Sequence, residues 1–310
     1  LGMDLERVRI NELRRMMFHS GYDEVVNFSF NDPAKEVVLK SGKAPVPIRN
    51  PISTVASLLR TTLIGGLLEN VAWNINRGAD RVHIFEVGKT YFSQEDSTHE
   101  EQALAFVTTG FIGFEHWQEK RKKADFFHLK GTCEALMSQL GYESFSFKTE
   151  EVGFFEEEQA LLLHLKGEKI GYLGLIKREI LDAYSIKRAV WAAELNLSNL
   201  FQKQHQTFHF SPIGRFPSVS RDVSFIVDQD VRYQDIKQTV EKLSIPFLES
   251  FYLQDRFMGS PVTKGKVSLS FRFIFRHPSK TLLAEEADSY QTQIINALKT
   301  GFHFLLREEE

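Results

Sequence analysis

The sequence contains one cysteine, Cys133, in 310 residues, and it has no hydrophobic run of the roughly 18 residues that a membrane-spanning helix needs. A single cysteine excludes a disulfide framework and a multi-cysteine zinc site, and it is compatible with a reducing cytoplasm. The sequence also lacks an excess of either charge, because 38 Lys and Arg stand against 41 Asp and Glu. This balance excludes a uniformly basic nucleic-acid-binding protein, although not a local basic face.

No residue pattern predicts catalysis or metal binding. The stretch Lys264-Gly265-Lys266-Val267 lacks the spacing and the Ser or Thr of a phosphate-binding loop. Cys133 lies within a predicted helix, where we expect a small buried residue rather than a nucleophile. The histidines are scattered, without the spacing of a metal site. We therefore predict no catalytic residue and no metal ligand in this chain.

The length and composition indicate two globular domains. Hydrophobic residues make up 42% of the chain and charged residues 25%, as in folded proteins, and 310 residues exceed one domain of ordinary size. A polar stretch rich in His and Gln ends at Pro212. We predict a first domain over 1–200, a linker over 201–213 and a second domain over 214–310.

Hydrophobic periodicity predicts a mixture of helices and strands in the first domain. We expect helices over 4–20, 58–76 and 126–140, strands over 24–30, 82–92, 104–108, 161–165, 169–175 and 189–195, and an acidic hairpin loop over 94–102. The first helix carries an apolar stripe at helical spacing, which includes Val8, Leu13, Met16 and Met17.

The second domain has the pattern of a βαββαβ unit. Alternating apolar residues predict strands over 219–227, 247–256, 266–276 and 301–306, and helical periodicity predicts helices over 233–243 and 283–299. This order of elements over about 95 residues is the ferredoxin-like plan. The sequence therefore indicates an α+β fold for this domain.

The third strand of that unit lies in a basic stretch. Between Arg256 and Ala284 there are six Lys and Arg and no Asp or Glu: Arg256, Lys264, Lys266, Arg272, Arg276 and Lys280. A sheet face with cations, hydroxyls and aromatic rings suits single-stranded RNA, because phosphates meet the cations and bases stack on the rings. The alternative is an exposed strand that stays basic to discourage edge pairing.

Two segments of the first domain resemble a known family. Residues 50–92 contain Asn50-Pro51, Leu59-Arg60-Thr61, Asn74-x-x-Arg77 and Phe85-Glu86-x-Gly88. In this order they resemble the catalytic-like domain of the bacterial phenylalanyl-tRNA synthetase beta subunit, and residues 171–197 resemble its closing strands and helix.

The second domain resembles the anticodon-binding ferredoxin-fold domain of the same family. The motifs are Arg215-Phe-Pro-Ser, Ser220-Arg-Asp222, Asp255-Arg-Phe257-Met-Gly259, Lys266-Val-Ser-Leu269 and Phe275-Arg-His-Pro-Ser-Lys-Thr-Leu282. Together with the first domain, the resemblance covers nearly the whole chain in the family's order.

For the first domain, the resemblance implies a class II aminoacyl-tRNA synthetase-like α+β fold with an antiparallel sheet. The arginines with which active class II enzymes hold ATP have no match here, since the strand after Phe92 continues as Ser93-Gln-Glu-Asp and the later region reads Gly171-Tyr-Leu-Gly174. We therefore expect a non-catalytic domain that buttresses the catalytic alpha subunit in an α2β2 tetramer. The whole enzyme would use ATP and Mg²⁺, and this piece would bind neither.

The resemblance also implies an interface and an RNA site. Val8, Leu13, Met16 and Met17 become a candidate subunit interface, with intradomain core as the equal alternative. In the second domain Asp255, Phe257 and Ser268 match positions that contact the anticodon of the phenylalanine tRNA. Phe257 replaces a common Tyr, which keeps the stacking face and loses the hydroxyl. The basic stretch adds Arg272 and Arg276 as phosphate contacts, and Arg221 completes the set, with a local ion pair with Asp222 as its alternative.

The sequence thus predicts a cytoplasmic, non-catalytic piece of the ligase beta subunit that binds the alpha subunit and the tRNA anticodon region. Because the chain begins Leu1-Gly2-Met3, we expect a piece of a longer protein. The family's OB-type, editing and magnesium-binding modules would lie upstream. The alternatives are a free-standing RNA-binding or regulatory paralogue and, less in keeping with the missing arginines, an independently active class II ligase.

Overall fold

The computed structural model describes residues 5–95, 97–113, 116–118, 120–142, 145–203, 212–302 and 305–306. The chain forms two compact units, 1–208 and 209–310. Among the described residues, no helix is both long and apolar enough to cross a membrane.

The first unit is built around one large sheet. Its helices are α1 (Leu5–His19), α2 (Pro33–Leu39), α3 (Ile64–Ile75), α4 (Phe126–Gln139), α5 (Arg178–Ala183) and α6 (Leu197–Phe201), with a short 3₁₀ helix at Thr54–Ala56. Its strands are β1 (Asp23–Glu24), β2 (Phe30–Asn31), β3 (Val46–Pro47), β4 (Leu58–Leu59), β5 (Arg81–Gln94), β6 (Ser97–Ile112), β7 (Lys122–Lys123), β8 (Phe145–Thr149), β9 (Phe155–Leu165), β10 (Glu168–Ile176) and β11 (Trp191–Asn196).

The strand order of the large sheet is β1-β5-β6-β11-β10-β9-β8, and β7 pairs with β6. Within the described part of the chain, β1 runs parallel to β5 and the other paired strands are antiparallel. The strands β2, β4 and β3 form a small separate sheet. The predicted antiparallel character therefore holds except at the β1 edge.

Helices cover both faces of the large sheet, because its central strands are apolar on both sides. On β6, Ala103 and Val107 belong to the core that α3 and α5 cover, whereas Leu104 and Phe106 belong to the core under α1, α4 and α6. Successive residues of a strand point to opposite faces, so one strand supplies both cores. The unit is a sheet between two helical layers.

The helix α4 shows why the sequence folds this way locally. The Asp125 side chain accepts a hydrogen bond from the backbone N–H of His128 and caps the helix. Gly141, in the left-handed region with a φ of +80°, follows its end. Cys133 is fully buried in the core, and this burial raises the pKa of its thiol. Its predicted place as a small buried residue is confirmed.

Two of the predicted elements start or stop elsewhere. The predicted strand over 24–30 is broken into two short strands, β1, which pairs with β5, and β2, which pairs with β4. Between them, the Asn27 backbone N–H donates a hydrogen bond to the Glu86 carboxylate. The predicted helix over 58–76 begins only at Ile64. The residues before it are held in β4 and by a hydrogen bond from the Leu63 backbone N–H to the buried Glu194 carboxylate.

Most of the acidic stretch over 94–102 is strand rather than the predicted loop. β5 and β6 pair from Arg81 and Gly110 out to Gln94 and Ser97, so residues 97–102 belong to β6. Ion pairs of Glu100 with Lys89 and of Glu101 with Lys43 place the acidic residues next to lysines. The pair of Glu100 with Lys89 crosses from β6 to β5, and charge pairs of this kind stabilise a strand that has no apolar alternation.

The second unit has the predicted βαββαβ order. Its elements are β12 (Val219–Asp228), α7 (Tyr233–Lys242), β13 (Leu248–Phe257), β14 (Lys266–Phe275), α8 (Ala284–Phe302) and β15 (Leu305–Leu306). The sheet order is β13-β14-β12-β15, with antiparallel pairing throughout. Of the predicted linker, Phe201 belongs to α6 and residues 204–211 lie outside the described part of the chain.

Candidate nucleic-acid interface

The sheet of the second unit has one covered and one open face. The side chains of Phe225, Phe271 and Phe273 pack in a core with Ile236 of α7 and Ile294 of α8. The residues that alternate with them form the opposite face, which no helix among the described residues of this unit covers. We call this the open face and define it by three rows of register partners: Tyr252–Arg272–Asp222, Asp255–Ser270–Ser224 and Phe257–Ser268–Ile226.

Asp255 and Phe257 both lie on the open face near the end of β13. The Phe257 ring is 38% exposed, and Asp255 is exposed as well. An exposed ring on a sheet can stack against an unpaired base, and a neighbouring carboxylate can accept hydrogen bonds from a base edge or a ribose hydroxyl. The structure thus places these two predicted residues side by side.

Ser268 is buried, whereas its predicted role as a direct RNA contact requires an exposed hydroxyl. It lies in the same row as Phe257, but only 2% of it is exposed. Its hydroxyl is therefore not presented to a ligand, which corrects the prediction of a direct contact. Ser270, two residues on, is the more exposed hydroxyl, and it shares a hydrogen bond of 2.7 Å with the hydroxyl of Ser224.

Arg272 lies at the centre of the open face and is held by Asp222. Its Nε and Nη2 atoms donate to the two carboxylate oxygens at 2.7 and 2.5 Å. These hydrogen bonds lower the pKa of Asp222 and raise that of Arg272. Tyr252 on β13 is the register partner of Arg272. The guanidinium is therefore fixed in the face by Asp222 on β12.

The other two predicted arginines have structural partners. Arg276 donates from Nε to Glu249 at 2.9 Å and from Nη1 to the Phe216 carbonyl oxygen at 2.7 Å, so it fastens the segment before β12. Arg221 lies on the covered face, because it pairs in register with Phe273, and its Nε donates to Asp288 of α8. This corrects the placement of Arg221 beside the other RNA-contacting residues, and its partner is not Asp222.

The basic stretch is less cationic than the sequence suggests. Lys266 pairs with Asp228 at 3.3 Å and Lys280 with Glu286 at 2.7 Å, in addition to the pairs of Arg272 and Arg276. The acids belong to β12, β13 and α8, which lie outside the stretch in sequence. A count of charges along one segment could not reveal these partners.

Tyr252 belongs to the open face, and the sequence analysis missed it. It is 44% exposed and stands opposite Arg272. Strict alternation would put Tyr252 and Phe257 on opposite faces, since they are five positions apart in the sequence. A register shift between Leu253 and Asp255 brings both rings to the same side. Only the strand pairing reveals this shift.

The first unit has an exposed apolar segment over 26–30. Val26 and Phe28 are each 86% exposed, and Phe30 is 46% exposed. The polar residue between them points inward: the Asn27 Nδ2 atom donates to Glu86 at 2.7 Å and to Asn70 at 3.1 Å. This segment therefore turns Val26 and Phe28 to solvent and the Asn27 amide to the interior. Exposed apolar groups of this kind make the segment a candidate interaction surface.

The Leu-Arg-Thr and Phe-Glu-x-Gly motifs, on which the family resemblance of the first unit rests, contact each other. The Arg60 Nη1 atom donates to the Glu86 carboxylate at 2.7 Å, and both side chains are almost fully buried. A Cβ atom at Gly88 would lie 2.4 Å from the Arg60 guanidinium, so the glycine leaves room for it. The Leu-Arg-Thr and Phe-Glu-x-Gly motifs therefore have a structural role, as they join the small sheet to β5.

One cavity of the first unit, about 440 Å³, opens beside β10 and β11. Its lining includes Lys43, Glu101, Lys169, Tyr172 and Glu194, and no arginine. Glu194 accepts hydrogen bonds from the Thr62 and Tyr172 hydroxyls, and burial raises its pKa. Among the described residues, no group of three or more His, Cys, Asp or Glu could hold a metal ion.

The apolar stripe of α1 faces inward for the most part. Leu13 and Met17 are fully buried in the core beneath α1, and Met16 packs against that core. Val8 is half-buried. Leu13 and Met17 are therefore intradomain core, which corrects their assignment to a subunit interface.

Comparison with known proteins matches both units. A family model described as "Phenylalanyl tRNA synthetase beta chain CLM domain" matches residues 2–197, and one described as "Ferredoxin-fold anticodon binding domain" matches residues 214–307. The chain is 30% identical over 306 residues to the phenylalanine–tRNA ligase beta subunit of Acinetobacter baylyi, covering 97% of this chain and 38% of that protein. The corresponding protein of Halalkalibacterium halodurans is 28% identical over 304 residues, covering 96% and 38%.

The chain spans a little over a third of the length of these curated relatives. The two matched regions follow one another in the order predicted from the sequence motifs, and they coincide with the two units that carry the buried Arg60–Glu86 pair and the open face. The chain therefore belongs to the family of phenylalanyl-tRNA synthetase beta chains.

Proposed function

We propose that the second unit binds the anticodon region of the phenylalanine tRNA with its open face. The observation that carries this proposal is the exposed Phe257 ring beside Asp255, on a sheet face that no described helix of this unit covers. A base stacked on an aromatic ring contributes about 1–3 kcal/mol to binding. The match of residues 214–307 to an anticodon-binding family supports the choice of RNA.

The first unit is proposed to assemble with the alpha subunit through the segment 26–30. A helical or strand surface of the alpha subunit would cover Val26 and Phe28, which otherwise expose large apolar groups to water. The beta-subunit names of the relatives support a partner of this kind. The α2β2 tetramer of the family would then contain two copies of this interface.

We also propose that the first unit is a class II-like module without catalytic activity. Adenylate formation needs fixed cations against the developing phosphate charge. No arginine lines the cavity beside β10 and β11, and the Arg60 guanidinium is bound to Glu86. ATP and Mg²⁺ would be held by the alpha subunit during aminoacylation in the cytoplasm.

The test of the RNA proposal is the affinity of the chain for phenylalanine tRNA after removal of the Phe257 ring. Phe257→Ala should weaken binding by about 1–3 kcal/mol, or roughly five- to 150-fold, and Phe257→Tyr should retain it. Phe127→Ala, which removes a 77% exposed ring from α4, is the matched control. Equal affinities of Phe257→Ala and the parent chain would exclude the stacking role.

A free-standing RNA-binding paralogue is the competing function. It would bind tRNA in the same way but would form no complex with an alpha subunit. The mass in solution of a mixture of the two chains separates these functions, and the exposed segment 26–30 favours the subunit.

A further inference from the structure

We propose that Tyr252 forms a second base-stacking position on the open face, two nucleotides away from the base that stacks on Phe257. This inference rests on the proposed function, because it requires that single-stranded RNA follows this face. The ligand at Tyr252 is a nucleobase, and the ligand at Phe257 is another base of the same strand.

The register of the sheet gives the distance between the two rings. Phe257 stands opposite Ser268 and Tyr252 stands opposite Arg272, four residues further along β14. At about 3.4 Å per residue, the two rows are about 14 Å apart. An extended RNA strand covers about this distance in two nucleotides, so the rings suit the first and third bases of a triplet.

The row between the rings suits the middle base. It contains Asp255, Ser270 and Ser224, and the serine hydroxyls share one hydrogen bond. This row has no ring, so the middle base has no stacking partner there. It has an exposed carboxylate that can accept a hydrogen bond from an exocyclic amino group or a ribose hydroxyl. The three rows thus alternate ring, polar group and ring.

The register partner of Tyr252 on β14 is held in place before any ligand arrives. Tyr252 stands opposite Arg272 in the register, and the Arg272 guanidinium is fixed by two hydrogen bonds to Asp222. A neighbour that is already immobilised loses little conformational entropy when a base lies against it and the ring. The ring is 44% exposed and lies on the face opposite the phenylalanine core, so core packing does not account for it.

Charge favours a base over a phosphate at this position. Asp222 neutralises the guanidinium with both carboxylate oxygens, which leaves little net positive charge to attract a phosphate. The planar guanidinium beside the ring extends the flat surface on which a base can lie. A base at Tyr252 would therefore be recognised by stacking, and the Arg272 N–H groups that Asp222 does not use can donate to its edge.

The experiment measures binding of the full chain to the anticodon stem-loop of phenylalanine tRNA by fluorescence anisotropy at one salt concentration. The RNA is used intact and with an abasic nucleotide at each of the three anticodon positions. The variants are Tyr252→Ala, Tyr252→Phe and Phe257→Ala. Tyr233→Ala is the control, since Tyr233 is 40% exposed and stacks on Phe271 of the covered face.

Tyr252→Ala is expected to weaken binding of the intact stem-loop about tenfold, whereas Tyr252→Phe and Tyr233→Ala should stay within about threefold. An abasic nucleotide at the position that stacks on Tyr252 should remove the difference between Tyr252→Ala and the parent chain. Phe257→Ala should lose its effect with a different abasic nucleotide, two positions away.

The inference is overturned if Tyr252→Ala binds like the parent chain, or if both rings respond to the same or to adjacent abasic positions. A loss for Phe257→Ala without one for Tyr252→Ala rejects this inference and leaves the proposed function intact. A parent chain that does not bind the stem-loop rejects both. If Tyr252→Ala is misfolded by circular dichroism, Tyr252→Leu replaces it, because Leu keeps the bulk without the aromatic face.

Discussion

At the residue scale, the buried His83 and the half-buried His128 lie together between the sheet and the helix layer of α1 and α4. The rings of His83 and His128 are 5.6 Å apart, and each contacts the ring of Tyr22. The His83 Nε2–H donates to the Phe111 carbonyl oxygen, so its Nδ1 atom accepts from the Thr108 hydroxyl. These partners fit the neutral form of the His83 ring, with its proton on Nε2.

Burial lowers the pKa of both histidines from the ordinary value of 6.5. The charged groups around them are Arg81, whose charge lowers the pKa of His83 slightly, and Asp23 and Asp125, which raise those of His83 and His128 respectively. The two histidines take up protons at a higher pH in the unfolded chain than in the folded one. The stability that their neutral forms contribute is therefore fully present above about pH 6.5, and it is lost as the pH falls through their lowered pKa values.

We predict that the free energy of unfolding in urea falls as the pH is lowered from 7 to 5, by up to about 1.4 kcal/mol per pH unit for each histidine. His128→Gln should reduce this slope, because it removes one of the two protonation sites. His19→Gln, at an exposed position of α1, is the control. Equal slopes for His128→Gln and the parent chain would contradict the prediction.

At the element scale, the sequence predicted helices and strands well where apolar periodicity is regular. The helix over 126–140 and the first five elements of the second unit follow from periodicity and were confirmed to within about three residues at each end. The last strand, predicted over 301–306, is only Leu305–Leu306, because α8 continues to Phe302. The polar start of β6 could not be predicted, because ion pairs with Lys43 and Lys89 hold it in place of apolar contacts. The position of Tyr252 could not be predicted either, since it depends on the register shift in β13.

The β5–β6 hairpin also depends on one glycine. Gly110 adopts a φ of +87° opposite Arg81, and a Cβ atom there would lie 2.0 Å from the Asp80 carbonyl oxygen. Gly78 has a similar φ of +89° but no atom within 4 Å of such a Cβ. An alanine at either position would adopt an unfavourable left-handed backbone conformation. Only at Gly110 would its methyl group also clash with neighbouring backbone atoms.

We predict that Gly110→Ala lowers the free energy of unfolding by about 1–3 kcal/mol more than Gly78→Ala does, because the backbone must move to admit the methyl group. Gly78→Ala alone should cost about 1 kcal/mol. Urea denaturation of both variants gives the comparison. If the two variants are equally stable, the close approach of Asp80 to Gly110 is not a constraint on the hairpin.

At the scale of the whole molecule, the segment 26–30 is the feature that the proposed assembly with the alpha subunit requires. Its inward polar side is fixed by Asn27 and Glu86, so the outward side can be changed without disturbing the core. We predict that Phe28→Asp prevents the complex with the alpha subunit, because a charge would be buried in an apolar interface. The measurement is the mass in solution of the mixed chains.

The control for this prediction is Val37→Asp, which places the same charge at a 74% exposed position of α2. It should leave the complex intact, and both variants should unfold at the same urea concentration as the parent chain. A stable complex with Phe28→Asp would show that the alpha subunit binds elsewhere on the chain.

The ion pair of Arg272 on the open face and that of Lys266 at the start of β14 have a consequence for the counterions that surround RNA. A phosphate that approaches Arg272 or Lys266 meets a cation that already has the carboxylate of Asp222 or Asp228 beside it. Few condensed ions would leave the RNA on binding, so the affinity would fall less steeply with salt than the slope of about −0.7 per neutralised phosphate of a single strand. Stacking needs no counterion release. Binding of the anticodon region to the open face would therefore persist at salt concentrations that dissociate RNA from an ordinary basic surface.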